Sequence, residues 1–214
     1  MTMTKRFVAA LAAMVLVLSL TVSVGAAQPL KTYTLPLKEM TDRVSEKVEP
    51  GRVSFTSYYN IGAVDYQDMK TAGNRAVRIG GKIFFSFDTL TGRAVTGRMT
   101  VNPLLIGATK GDLCTIVDVS AETNQAVKDI FEKLLKKPVA VMYCGQKGDL
   151  GMTVVVSGDL DVSKLDKNNL MAYAYNPDTN SYIAIKDAKC VVDEKGFVHV
   201  QTQRGGYIVV TNSK

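Results

Sequence analysis

The feature that most constrains this chain is a succession of short runs in which Val, Ile, Tyr, Phe and Thr recur, each closed off by Gly, Asn or Asp. Runs of that length and composition, many of them alternating, are the mark of strands in a layered β structure. The predicted strands are 53–59, 75–79, 82–87, 94–101, 113–119, 139–143, 152–157, 170–175, 182–186, 197–201 and 207–210. One segment breaks the series. Val127, Ile130, Phe131, Leu134 and Leu135 recur at helical spacing and place one apolar stripe on a helix over 121–137. Ser120 is positioned to cap its start, and Lys136, Lys137 and Pro138 close it. The architecture expected is mainly β: an antiparallel β-sandwich-like domain over 51–214 with one crossover helix, the alternative being an α+β mixed sheet.

The N-terminus has a different grammar. Lys5 and Arg6 precede an almost wholly apolar stretch from Phe7 to Val24, and Gly25, Ala26 and Ala27 follow. That order is the pattern of a secretory signal over 1–27, with cleavage near Ala27, after Ala27 or after Ala26, and an uncleaved anchor as the alternative. No Cys follows the apolar stretch to receive a lipid. Residues 1–27 hold two basic and no acidic side chains, so the remainder carries 24 basic against 20 acidic residues, a net charge of +4. This mild, dispersed excess argues against nucleic-acid binding. Its densest cluster, Lys133, Lys136 and Lys137, falls at the helix C-terminus, where cations complement the dipole. Between signal and domain, 28–50 carries Pro29, Pro36 and Pro50, with Leu37, Met40, Val44 and Val48 at near-helical spacing. It reads as a linker or one short amphipathic helix.

The last 45 residues or so hold the clearest turn chemistry. Asn176-Pro177-Asp178-Thr179-Asn180 and Asp193-Glu194-Lys195-Gly196 both separate strand-like runs and predict hairpins, with Tyr173, Tyr175 and Tyr182 as cross-strand neighbours. The succession Leu170 to Asn180, Val192 to Val198 and Gly206 to Val210 resembles the C-terminal β-module of secreted and surface proteins from Gram-positive anaerobes. Such modules place a Tyr-rich strand, an Asn-Pro-type turn, an Asp-x-x-Gly turn and a closing Tyr-aliphatic strand in this order. The resemblance covers 152–211 and implies a secreted β-sandwich of poorly defined function, with no catalytic residues to carry over. Relatives often have Ser-Asp before the final Tyr, where this chain has Gly205-Gly206.

Candidate chemistry is sparse. His199 is the sole histidine and Trp is absent, which argues against imidazole-rich metal centres. In Phe197-Val198-His199-Val200-Gln201, alternation puts His199 on the face of Phe197 and Gln201, and its expected role is a solvent-side strand residue, since a triad needs an oriented partner. No Gly-x-Ser-x-Gly elbow occurs. Cys114, Cys144 and Cys190 lack Cys-x-x-Cys spacing. Were the strands flanking the helix parallel neighbours, Cys114 and Cys144 would lie about 15 Å apart, beyond disulfide reach; an antiparallel placement removes that objection. Three unpaired, mostly buried thiols are expected. The acidic run 158–166 lacks the spacing of a calcium loop and reads as a solvated strand edge and turn. Neither Ile79-Gly80-Gly81-Lys82 nor Arg204-Gly205-Gly206-Tyr207 ends as a phosphate loop does.

The ligand-binding residues expected are Tyr58 and Tyr59, adjacent aromatics at a strand end from which a ring can stack on a sugar or peptide. The function expected is a secreted or cell-surface, non-enzymatic binding or surface-interaction module. Its partner would be a cell-wall glycan or a surface protein, with no metal, no cofactor, no nucleic acid, and membrane contact only through an uncleaved signal. The alternative is an extracellular, glycosidase-like hydrolase using dispersed carboxylates.

Overall fold

A spine of two long antiparallel strands organises the protein: β8 (Val139–Asp159) and β12 (Phe197–Asn212). The computed structural model describes residues 32–46, 52–55, 60–79, 83–185 and 190–213. In chain order the remaining elements are β1 (Thr32–Thr34), α1 (Leu37–Ser45), β2 (Arg52–Phe55), β3 (Asn60–Asp65), α2 (Tyr66–Arg78), β4 (Phe84–Thr91), β5 (Ala94–Val101), β6 (Asp112–Cys114), β7 (Val117–Asp118), α3 (Ala121–Leu135), β9 (Leu170–Asn176), β10 (Ser181–Ala184) and β11 (Cys190–Val192). A 3-10 turn at Pro103–Leu105 follows β5.

The large sheet runs β10-β9-β12-β8-β5-β4-β2, with β11 beside β12 and β7 beside β8; a small sheet holds β1-β3-β6. Most pairs are antiparallel, but β2 joins β4 and β1 joins β3 in parallel, so the fold is mainly β with mixed sheets. Three helices are present among the described residues: the expected crossover helix α3, α1 within 28–50, and α2, where no helix is expected. The predicted strand at 75–79 is the end of α2. Asp65 caps that helix by accepting the backbone N–H groups of Gln67 and Asp68. Its buried stripe is Tyr66, Met69, Ala72, Gly73 and Ala76, at helical spacing, with three small residues toward its C-terminal half. Gly73 lets the helix close on Pro103, whose Cγ lies 2.6 Å from where a Cβ would stand.

Of the two readings of 28–50, the described part holds the helix: α1 buries Met40 and Val44 completely, and with Leu35 they belong to the main core. The runs expected as separate strands at 139–143 and 152–157 are two parts of β8, and those at 197–201 and 207–210 are two parts of β12. Both tail hairpins form, β9 with β10 and β11 with β12. The final strand nevertheless lies between β8 and β9 instead of extending a sequential meander.

Side-chain alternation along the spine separates two cores. Ala140, Met142, Cys144, Met152, Val154 and Val156 of β8 face the main core, as do Val198, Val200, Ile208 and Val210 of β12. There Phe55 meets Phe85 edge-on at 5.2 Å and stacks on Phe87 at 5.3 Å. On the opposite side, Val139, Val141, Tyr207 and Val209 meet Val127 and Phe131 of α3 in a second, smaller core. Ser120 caps α3 through the Thr123 N–H, and Lys136, in the left-handed conformation, ends it.

Between its two halves the spine is irregular, with register shifts at 202/204 and 205/206. Gly205 lies so close to β8 that a Cβ on it would stand 1.8 Å from the Gln146 carbonyl oxygen, and Gly206 has φ +93°. Tyr66, the first residue of α2, ties that helix to this bend by donating its hydroxyl to the Leu150 carbonyl at 2.8 Å. Gly205→Ala is therefore expected to destabilise the protein by about 2 kcal/mol or more in denaturant unfolding. Gly196→Ala, at φ +89° but with no described atom within 4 Å of its Cβ, costs about 1 kcal/mol. Equal losses at the two positions would contradict the close-approach account.

Candidate functional site

Helix α3 covers one half of the outer face of the large sheet, and the other half is an open groove of about 1160 Å³. Its floor follows from register. Arg98 of β5 is opposite Ser157 of β8, and Ser157 is opposite His199 of β12, with the buried Asp88 of β4 opposite Arg98 beside the floor. A second row runs Thr100, Val155 and Gln201, beside the buried Ser86 of β4. Because inward and outward residues alternate, each of these side chains stands on the face opposite the main core. Phe84 and Leu105, 43% and 64% exposed, supply apolar surface at one end. Val95, Phe197 and the turn Asp193-Glu194-Lys195 line the other.

The first row is hydrogen-bonded across the strands. Arg98 Nε donates to Oδ1 of the buried Asp88 at 2.5 Å. Ser157 Oγ lies 2.8 Å from His199 Nδ1, and His199 Nε2 lies 3.1 Å from Asp193 Oδ2. Asp193 is fixed by its turn, Oδ1 accepting the N–H groups of Lys195 and Phe197 at 2.9 Å each. Burial pulls its carboxyl upward, but the hydrogen bonds from His199, Phe197 and Lys195 outweigh that pull and hold it below the usual carboxylate value. An ionised Asp193 has only lone pairs to offer, so the hydrogen on the neutral imidazole sits on Nε2. Nδ1 is left to accept the serine hydroxyl.

His199 therefore differs from a solvent-side residue: its side chain is 28% exposed and bonded at both ring nitrogens. The alternation was legible, since Val198 and Val200 are fully buried and His199 lies on the other face. The partners were not. Asp193 shares a hairpin with His199 and is within reach of sequence reasoning, whereas Ser157 and Arg98 come to the site through long-range register alone. Tyr58 and Tyr59 lie outside the described residues. The other tyrosines of the tail pack beneath α3, where Phe131 meets Tyr175 at 5.3 Å and Tyr182 at 5.7 Å.

The acidic run serves its own turns, Asp161 accepting the Ser163 N–H and Asp166 that of Asn168. Among the described residues no group of three or more His, Cys, Asp or Glu is placed to hold a metal ion.

The three thiols are unpaired. The strands flanking α3 are antiparallel, and the 15 Å separation derived for parallel neighbours does not apply: Cys144 is opposite Val117, and Cys114 Sγ lies 2.4 Å from where a Cβ on Gly145 would stand. Burial pushes Cys144 and Cys190 up to about 12 and raises Cys114 as well. Reaction needs the thiolate, so at pH 8 the native protein is expected to react with a disulfide reagent about a hundredfold more slowly than the chain in denaturant. Rapid titration of all three thiols in the folded protein would contradict that burial.

Comparison with family models, with curated proteins and with solved structures found no match for this chain.

Proposed function

We propose that the protein is a secreted or cell-surface binding module that holds an extended ligand, a cell-wall glycan or a segment of a surface protein, in the groove on the uncovered half of its large sheet. The observation that carries this reading is the groove itself, open along the strands, with hydroxyl, amide and guanidinium groups on its floor and apolar side chains at both ends. Such a mixture suits a ligand with polar edges and apolar faces. The basic, apolar and small-residue order of 1–27 supports export, and the resemblance of 152–211 to surface β-modules of Gram-positive anaerobes supports the same setting.

The glycosidase-like alternative calls for a carboxyl pair with one member held protonated. Asp88 is engaged by Arg98, and Asp193 is held ionised by His199 and its own turn. Neither suits a general acid, and the other carboxylate lining the groove, Glu194, adjoins Asp193 on the same turn rather than facing it across the groove.

The test is a glycan-array and wall-fraction pull-down with the chain from residue 28, repeated with Val155→Arg to block the groove floor and with Tyr58→Ala and Tyr59→Ala. Capture lost with Val155→Arg is expected. Capture that ignores Val155→Arg but falls with the tyrosine variants would move the site from the groove to those residues.

A further inference from the structure

We propose that Ser157, His199 and Asp193 form an acyl-transfer site in the floor of this groove, and that it hydrolyses carboxylic esters. The assignment rests on reading the groove as the ligand site and adds turnover to binding there. The chain Ser157 Oγ to His199 Nδ1 to Nε2 to Asp193 Oδ2, with contacts of 2.8 and 3.1 Å, is the arrangement that converts a serine hydroxyl into a nucleophile. The two ring nitrogens exchange roles relative to the usual serine hydrolase order, but the proton path is the same. Asp193 acts as a positioning residue: it fixes the ring tautomer and stabilises the imidazolium when it forms.

Two further features point to a reacting ester rather than to a serine that merely satisfies a histidine. Arg98 is the direct cross-strand neighbour of Ser157, and Asp88 takes its Nε. Its terminal nitrogens have no hydrogen-bond partner among the described residues and are available to an oxyanion. Apolar side chains at both ends, Phe84 and Leu105 on one side and Val95 and Phe197 on the other, supply surface for an acyl group. Ser157 is only 2% exposed yet lines the groove, so the ester must reach its floor.

In the reaction Ser157 Oγ bonds to the ester carbonyl carbon while its proton passes to His199 Nδ1, and the carbonyl oxygen becomes an oxyanion beside Arg98. Collapse breaks the bond to the alkoxy oxygen, which leaves with the proton from Nδ1 as an alcohol. Water then attacks the acyl-serine, giving its proton to Nδ1. The second collapse releases the carboxylic acid and returns the proton to Ser157.

The chain from residue 28 is treated with diisopropyl fluorophosphate and mapped by peptide mass, and its hydrolysis of p-nitrophenyl acetate and butyrate is followed. The expected result is one adduct on Ser157 and a fall in turnover of about a hundredfold or more in Ser157→Ala and His199→Gln. Asp193→Asn is expected to lower kcat with KM unchanged, and Asp193→Glu to restore part of it. Thermal melts establish that the variants fold; if one does not, the adduct on the unaltered protein decides. No adduct on Ser157, or turnover indifferent to Ser157→Ala in a folded protein, overturns the proposal. If glycan or wall capture still depends on Val155, that failure leaves the binding reading intact; if capture also ignores Val155, both fall.

Discussion

The pairing of β8 with β12 is the interaction on which the rest of the structure depends. Each strand is longer than any partner outside the pair, so different partners attach along its length: β5 and β11 along one half, β7 and β9 along the other. The two halves join through a bulged segment where Gly205 and Gly206 allow close approach that a side chain would forbid. A β-bulge re-aims a strand without breaking it, which is how one ribbon supports both the α3-covered core and the open groove.

That division has an energetic logic. Alternation leaves the strands with two faces, and the main core consumes one of them. On the other, Val139, Val141, Tyr207 and Val209 are apolar and require a cover, which Val127 and Phe131 of α3 provide. Further along, the same face carries Thr153, Val155, Ser157, His199 and Gln201, a mostly polar set that remains stable in contact with water. The buried Asp88 on this face is paired with Arg98, whose side chain remains partly exposed and lines the groove.

The sequence disclosed what depends on local rules. The strand-rich class, α3 with its Ser120 cap, and the tail turns at Asn176–Asn180 and Asp193–Gly196 were all legible, because periodicity and turn chemistry act over a few residues. Helix α2 was missed although Tyr66 and Met69 start its buried stripe, because the stripe continues through Ala72, Gly73 and Ala76, which pack closely without hydrophobic bulk. The continuity of β8 was hidden by Gly145, Gly148 and Gly151, which read as punctuation between two strands and in fact sit within one. The site was least legible of all. Ser157 is 42 residues from His199, and nothing local to Val154-Val155-Val156-Ser157 announces that the register of β8 on β12 will set the two side to side.

The central claim is that this register holds the imidazole in one orientation, between a serine and an ionised aspartate. His199 is the only histidine in the chain, so the imidazole region of a long-range nitrogen–proton NMR spectrum contains one ring and needs no assignment. At pH 8 the account predicts a single tautomer with the hydrogen on Nε2, a bare Nδ1, and the same ring changed in Ser157→Ala. A ring averaging freely between both tautomers, indifferent to Ser157→Ala and Asp193→Asn, would contradict it.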